Sequence, residues 1–108
     1  MNFTEAVMRV FEVRAKPGYA DELEKKLAST SVSVVQGKPG NLGYFFGKKS
    51  SSDDHDFLFV SIWDSLETVK SHFGKEWESS FLPPGYAEII EACSIKHFKF
   101  NGTLESKK

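Results

Sequence analysis

His72 is the side chain best suited to act as a base, and His97 is the second histidine that lies in a segment with a regular residue pattern. An unperturbed imidazole has a pKa of about 6.5, so it can accept or donate a proton near neutral pH. Phe73 and Trp77 follow His72 closely and could stack on an aromatic ring. The alternative for both histidines is a structural role, in which the ring is hydrogen-bonded or partly exposed.

The other reactive side chains give weaker signals. Asp53, Asp54, His55 and Asp56 are consecutive in a Ser-rich segment, which is typical of a solvated turn, and no second ligand cluster supports them, so we predict no metal site. Cys93 has no evident cationic neighbour in the sequence, which favours an inert structural thiol. The sequence has no Gly-rich phosphate loop and no Ser/His/Asp order, and we predict no bound cofactor.

Composition bounds the domain organisation and the partners. The 108 residues have a mass of 12.2 kDa, a formal net charge of −1 and a pI of about 6.3. We predict one domain over 1–108, with a core over about 7–100 and a polar tail over 101–108. The near-neutral charge argues against a nucleic-acid partner. The single cysteine, the lack of a signal-peptide pattern and the lack of a membrane-length apolar stretch predict a cytoplasmic protein without a membrane partner.

Hydrophobic periodicity predicts secondary structure in the order βαββαβ. Residues 7–15 alternate between two faces, as in a strand, and apolar residues at spacings of three and four predict a helix from about 19 to 35. The later predicted elements are a strand over 42–49, a polar hairpin loop over 50–56, a strand over 57–63, helical pieces from 65, over 76–82 and over 86–93, and a strand over 95–100.

The apolar run 57–63 is the most informative stretch for the fold. A strand without a polar side is buried on both faces, and the spacing of Asp64 and Glu67 directly after it predicts a helix N-cap with its reciprocal carboxylate. Two β-α-β crossovers predict an α+β, ferredoxin-like fold, a four-stranded antiparallel sheet with helices on one face. The other face also carries apolar side chains, so we predict a homodimer that packs sheet against sheet.

Several short motifs within these elements resemble those of one known family. They are Gly40-x-x-Gly43-Tyr44 before the second strand, the junction 59–65 that ends in Trp63-Asp64-Ser65, Ser71-His72-Phe73 in the following helix, and His97-Phe98 in the last strand. They look like those of the antibiotic biosynthesis monooxygenase family of dimeric α/β barrels, and the resemblance covers about 7–100.

The resemblance implies a monooxygenase-like protein that acts on an aromatic polyketide, quinol or similar small aromatic molecule without a bound metal or flavin. Such a substrate can reduce dioxygen once it is deprotonated, so the protein must bind the ring, help remove a proton and exclude water. His72 is the predicted catalytic base. Arg9, Arg14 or His97 could stabilise a developing phenolate, depending on which strand face meets the helices. The predicted pocket residues are Phe11, Trp63, Phe73, Trp77 and His97.

Two other functions stay open. A ligand-binding or stress-response module on the same fold would have a filled core and both histidines directed outward. The family also includes haem-degrading proteins, whose first-strand Asn corresponds to about Phe11 and whose helix Trp corresponds to about His72. His72 and Trp77 thus supply suitable residue types at the wrong positions, and haem degradation is the lesser alternative. Packing in the core is the alternative role for Trp63 and Trp77.

Overall fold

The computed structural model describes residues 5–50 and 55–101. Its elements, in chain order, are β1 (Val7–Ala15), α1 (Ala20–Lys26), a π-helical turn (Leu27–Ser31), α2 (Val32–Val35), β2 (Asn41–Lys48), β3 (Asp56–Trp63), α3 (Leu66–Phe73), a 3₁₀ turn (Gly74–Glu76), a second 3₁₀ turn (Ala87–Ile89) and β4 (Ile90–Lys99). The first three helical elements are continuous and form one helical region, as predicted for 19–35.

The four strands form one antiparallel sheet in the order β2-β3-β1-β4. This arrangement confirms the predicted α+β, ferredoxin-like fold. The apolar strand β3 and the alternating strand β1 lie at the centre, where both edges of each strand are hydrogen-bonded to a neighbour. Central strands need no solvent for their backbone groups, so their side chains can be buried on both faces.

One face of the sheet packs under the helices and forms the core. Alternation along β3 directs Phe57, Phe59 and Trp63 to this face. On β1, Phe11 pairs with Phe59 and Val13 pairs with Phe57. All five are at most 8% exposed. The helical side of the core is supplied by Leu23, Leu27, Val35 and Val69. Burial of one large apolar side chain contributes roughly 1.5–3 kcal/mol, so this cluster provides much of the stability.

The opposite face of the sheet is also apolar, as predicted. Val60 and Ile62 of β3 are 2% and 3% exposed on this face. Phe45, Leu58 and Phe98 are 51%, 36% and 48% exposed there, and they surround the two buried residues. The pairing of two such faces in a homodimer stays a prediction.

The helix after β3 is capped by Ser65 rather than by Asp64, so the predicted capping pair is wrong. The Oγ of Ser65 accepts a hydrogen bond from the backbone N–H of Thr68 at 3.2 Å. Asp64 instead donates its backbone N–H to Gly40 O at 2.9 Å and accepts the Thr68 hydroxyl on its carboxylate. Ser and Asp are nearly equivalent N-caps, and the bond to Gly40 fixes which of the two adjacent residues begins α3.

Within the described range 55–101, the helical pieces predicted over 76–82 and 86–93 are absent, and those predictions are wrong. The regular structure there consists of the two 3₁₀ turns, and β4 begins at Ile90 instead of Ile95. Residues 90–94 pair with the end of β1, which shows that pairing with a central strand overrides their helical composition. The carbonyls of Trp77 and Ser79 accept hydrogen bonds from Arg9, not from a helix backbone.

Part of the predicted polar loop, 51–54, and most of the predicted tail, 102–108, lie outside the described residues. Asp53 and Asp54 are among them. In the described part of the chain, no helix has the length and apolar character that crossing a membrane requires. The same part contains no group of three or more His, Cys, Asp or Glu side chains that could hold a metal ion.

Candidate functional site

One row of side chains on the helix-facing side of the sheet is polar. Strand register places Tyr44, Ser61, Arg9 and His97 side by side from β2 to β4. The next row, by contrast, consists of Phe46, Phe59, Phe11 and Ile95. Among the described residues, Arg9 and Ser61 are the buried polar side chains, at 4% and 2% exposure. Burial of polar groups in an otherwise apolar core costs desolvation energy, so this polar row marks a candidate site.

A cavity of about 50 Å³ lies where the polar row meets the first helical region and the connection 77–86. Its polar lining comes from Arg9, Ser31 and Ser61, and the rest of the lining is apolar or aromatic. The lining residues are Arg9, Phe11, Ser31, Val34, Val35, Phe59, Ser61, Phe73, Phe81, Pro83 and Ile95. An apolar concave surface with a few polar groups is typical of a small-molecule site.

The π-helical turn brings Ser31 to the cavity. The hydroxyl of Tyr86 donates to Lys26 O at 2.9 Å and lies 2.7 Å from the Ser31 Oγ. Tyr86 is 1% exposed, so these bonds tie the turn to the segment that leads into β4. Single π-helical turns occur often at functional sites because they redirect side chains within a helix.

Arg9 is the charged group of the cavity lining. Its Nη1 donates to Trp77 O and contacts His97 Nε2 at 3.1 Å, and its Nη2 donates to Ser79 O at 3.0 Å. The guanidinium carbon lies 3.8 Å from the centre of the Phe73 ring, which is a cation–π contact. Burial lowers the pKa of Arg9 to about 10, so the side chain remains charged at neutral pH.

His97 is held as a neutral ring by its contact with Arg9. An arginine only donates hydrogen bonds, so Nε2 of His97 must be the acceptor and the proton of the neutral ring is on Nδ1. Burial, and then the positive charge of Arg9, lower the pKa of His97. The Trp77 ring lies 5.1 Å from the His97 ring and covers it. His97 therefore supports Arg9 but is not itself part of the cavity lining.

The structure brings two of the predicted pocket residues into the lining, Phe11 and Phe73. Trp63 is fully buried in the core and donates its indole N–H to the Ser61 Oγ at 2.8 Å. Trp77 contacts the site through its backbone carbonyl and through the ring contact with His97. Arg14 lies on the opposite face of the sheet, where it pairs with Asp56 and Glu91.

His72, the predicted base, lies beside the cavity lining but is not one of its members. Its Nε2 donates to Val34 O at 2.8 Å, because a carbonyl can only accept. Its ring packs against Trp63 at 5.0 Å and Phe73 at 4.7 Å between ring centres. The opposite side of His72 borders a surface groove with Gly40 and Thr68. Its catalytic role stays a prediction.

Sequence reasoning did not single out the lining residues Ser61, Phe59, Ser31 and Phe81. Strand alternation carries a signal for the first of these. Alternate residues of a strand lie on the same face, so Arg9 lies on the face of Phe11 and Val13, and Ser61 on the face of Phe59 and Trp63. The alternation therefore indicates that both polar residues are directed to the core. Ser31 and Phe81 have no such signal, because their placement depends on the π-helical turn and on an irregular connection.

Comparison with known families identifies the class of protein. The family model described as antibiotic biosynthesis monooxygenase matches residues 6–79, which is most of the chain. The protein therefore belongs to the antibiotic biosynthesis monooxygenase family. A search of curated proteins gives no match to the sequence.

Solved structures share the fold over nearly the whole chain. A Nitrosomonas europaea protein of unknown function, NE2512, has a TM-score of 0.75 at 15% identity and covers 98% of this chain and 100% of its own. The Pseudomonas aeruginosa protein PA3566 has a TM-score of 0.72 at 19% identity, with 94% and 100% covered. SnoaB from Streptomyces nogalater, a cofactor-independent oxygenase, has a TM-score of 0.66 at 15% identity, with 94% and 99% covered. At these identities the similarity shows the fold alone.

Proposed function

We propose that this protein is a monooxygenase-like protein that binds a small aromatic molecule of the quinol or anthrone type in the cavity and oxidises it without a bound metal or flavin. The observation that carries the proposal is the aromatic lining, to which Phe11, Phe59, Phe73 and Phe81 contribute beside the polar row. Aromatic side chains bind an aromatic ring by offset stacking or edge-to-face contact. Family membership and the fold shared with SnoaB support the same class of reaction.

For an anthrone, the proposed reaction converts anthrone and dioxygen into anthraquinone and water. Loss of a proton from the ring methylene gives an electron-rich carbanion, which passes electrons to dioxygen. The peroxide that forms at this carbon loses water, so one oxygen atom enters the new carbonyl and the other enters water. The methylene group supplies all four electrons, and no external reductant takes part.

Proton removal requires an acceptor near the bound ring. His97 is not available for this role, because its Nε2 lone pair accepts a hydrogen bond from Arg9. His72 is the candidate base, and it would have to exchange its hydrogen bond with Val34 O for a contact with the ligand. The His72→Ala variant discussed below tests this role.

The cavity must enlarge to take such a ligand. Sites for drug-sized molecules have volumes of roughly 300–1,000 Å³, whereas the cavity has about 50 Å³. Phe81 and Pro83 belong to the connection 77–86, and Phe81 is 53% exposed, so little packing opposes its outward movement. We therefore expect the ligand to bind with outward displacement of the Phe81 side chain.

The small volume and the two histidines outside the lining favour a second candidate, a ligand-binding module without catalysis. Such a module would use the same aromatic lining and would not need a base. The two candidates differ in one observable, which is whether dioxygen is consumed when an oxidisable aromatic ligand is bound.

Oxygen consumption with a panel of anthrones and naphthohydroquinones, corrected for spontaneous oxidation, tests the proposed function. We expect saturable uptake that is proportional to protein concentration. Phe81→Ala should raise KM several-fold, whereas Tyr19→Ala, which removes an aromatic ring of similar exposure away from the cavity, should leave KM unchanged. Ligands that raise the melting temperature without any oxygen uptake would support the non-catalytic module instead.

We also propose that the protein works as a homodimer in the cytoplasm. The apolar outward face of the sheet, with exposed Phe45 and Phe98, supports face-to-face pairing. The single cysteine, Cys93, is exposed and free, which suits a reducing compartment.

A further inference from the structure

Arg9 carries a buried positive charge that no carboxylate neutralises in the described residues. It is 4% exposed, and its partners there are two backbone carbonyls and the neutral ring of His97. A buried charge without a counter-ion is costly, whereas the other arginine, Arg14, pairs with Asp56 and Glu91 on the opposite face of the sheet. An anionic group beside Arg9 would offset this cost.

The guanidinium also has hydrogen-bond donors that are not used. Three of its five N–H groups have acceptors, which leaves Nε–H and one Nη2–H without an acceptor in the described part of the chain. Every fully buried side-chain nitrogen or oxygen in that part has a partner. The unpaired Nε of Arg9 must therefore adjoin open space, and Arg9 lines the cavity.

The unused donors include Nε–H, which can bind an oxyanion. On a planar guanidinium, Nε–H and the Nη2–H beside it form one edge, and such an edge can donate to the two oxygens of a carboxylate or to one phenolate oxygen. Phe73 stacks on the face of the guanidinium at 3.8 Å, and Phe11 and Phe59 line the same cavity. A ring bound among these phenyl groups would place its substituent at the free edge of Arg9.

We propose that the cavity selects an aromatic ligand that carries an oxyanion, a carboxylate or a phenolate, and that Arg9 binds this group through Nε–H and Nη2–H. This inference rests on the proposed function, because it names the class of ligand for the same cavity. A purely structural Arg9 would need only the donors that bind Trp77 O, Ser79 O and His97, and not the unused Nε–H.

The sequence makes a direct spectroscopic test possible, because Arg9 and Arg14 are its only arginines. Their Nε–H groups give two cross-peaks in a ¹H–¹⁵N spectrum, and Arg14→Lys removes one of them and so assigns the other to Arg9. The protein is titrated with benzoate and with benzyl alcohol, its neutral counterpart, and then with the larger pair 2-naphthoate and 2-naphthalenemethanol. We expect saturable movement of the Arg9 cross-peak with at least one carboxylate. The neutral counterpart of that carboxylate should bind at least about tenfold more weakly.

Arg9→Met should abolish the preference for the carboxylate, and Arg14→Met should retain it. If Arg9→Met does not fold, the titration of the wild-type protein decides alone. Equal binding of both members of each pair, or no saturable shift of the Arg9 cross-peak with either carboxylate, would overturn the inference. Because the titration measures binding without turnover, anion selection without oxygen uptake would refute the proposed oxidation alone. Oxygen uptake with neutral ligands that Arg9→Met does not change would refute only the anion site.

Discussion

Burial and the contact with Arg9 both disfavour protonation of His97. Arg9 occupies the Nε2 lone pair of His97 and places a positive charge 3.1 Å from it, and both burial and this charge lower the pKa of the histidine. The folded protein thus binds the proton of His97 less readily than the unfolded chain does. Through linkage, this difference makes the stability depend on pH near the ordinary histidine pKa.

His97→Gln should reduce the loss of stability at acidic pH. The unfolded chain protonates His97 below a pKa of about 6.5, whereas the folded protein does so only at lower pH, so the contribution is present above about pH 6.5 and is lost as pH falls toward the folded pKa. Urea unfolding between pH 8 and pH 5 measures this. We expect the slope of unfolding free energy against pH to flatten in the Gln variant but not in Lys96→Gln. Equal slopes in all three proteins would contradict the pKa assignment.

His72→Ala separates a structural role from a catalytic one. His72 donates to Val34 O and packs on Trp63 and Phe73, so its loss leaves a carbonyl without its partner and removes ring contacts. We expect a loss of about 1–3 kcal/mol of unfolding free energy. A fall of about 100-fold in kcat/KM with an unchanged melting temperature would instead establish His72 as the general base.

Residue types alone indicated the candidate site only in part. The sequence shows His72 beside Phe73 and Trp77, and such a pattern suits either a base next to a ring or a ring packed into a core. Which one it is depends on the direction of the side chain from α3, which the sequence pattern does not determine. Arg9 could be placed under the helices only after the register with Ser61 and His97 was known.

At the scale of elements, the turn before β2 positions α3 through a close contact with Gly40. This glycine has φ of +82°, and a Cβ built there would lie 2.2 Å from Thr68 Cγ2 and 3.1 Å from Asp64 Oδ1. Thr68 cannot move away easily, because its side chain hydrogen-bonds both Asp64 and Ser65. The turn and the N-terminus of α3 therefore fit together only when residue 40 has no side chain.

Gly40→Ala should be more destabilising than Gly18→Ala. Both glycines have φ near +80°, so the backbone strain of an alanine is similar, but a Cβ at Gly18 would meet no atom within 4 Å. The difference between the two variants isolates the clash with Thr68, and we expect it to be roughly 1–3 kcal/mol. Chemical denaturation of both variants measures the difference, and equal stabilities would show that Thr68 and α3 move aside at no cost.

Elements with strong local patterns were predictable, whereas those set by tertiary pairing were not. The alternation of β1 and the apolar run of β3 identify the two central strands, and the helical region over 19–35 follows from its apolar spacing. The start of β4 at Ile90 depends on the end of β1 that is available for pairing. The connection 77–86 is irregular because Arg9 binds two of its carbonyls. The local sequence pattern does not predict this contact.

At the scale of the whole molecule, the outward face of the sheet predicts a homodimer. Light scattering at micromolar concentration should give twice the chain mass of 12.2 kDa. We expect the interface of this dimer to bury more than about 1,500 Å² in total. Phe45→Glu together with Phe98→Glu should give a soluble monomer. Both rings are exposed in the single chain, so the folded monomer tolerates the charges, whereas the dimer would bury them.

The matched control is Tyr19→Glu, which places a charge on an aromatic position of similar exposure before α1 and should leave the dimer intact. A wild-type monomer, or a double variant that still dimerises, would show that the outward face is not the interface. Val60→Asp should instead cause unfolding or aggregation, because Val60 is 2% exposed within a single chain.

The fate of isotopically labelled dioxygen tests the proposed oxidation most directly. Under ¹⁸O₂, with an anthrone as substrate, we expect one labelled oxygen atom in each quinone molecule and the other in water, at a rate proportional to the concentration of dimer. Incubation without protein provides the spontaneous rate, and Phe81→Ala should give a slower reaction at subsaturating anthrone. Label incorporation that does not exceed the spontaneous rate with any anthrone or quinol that the protein binds would contradict a monooxygenase function and leave ligand binding as the role of the cavity.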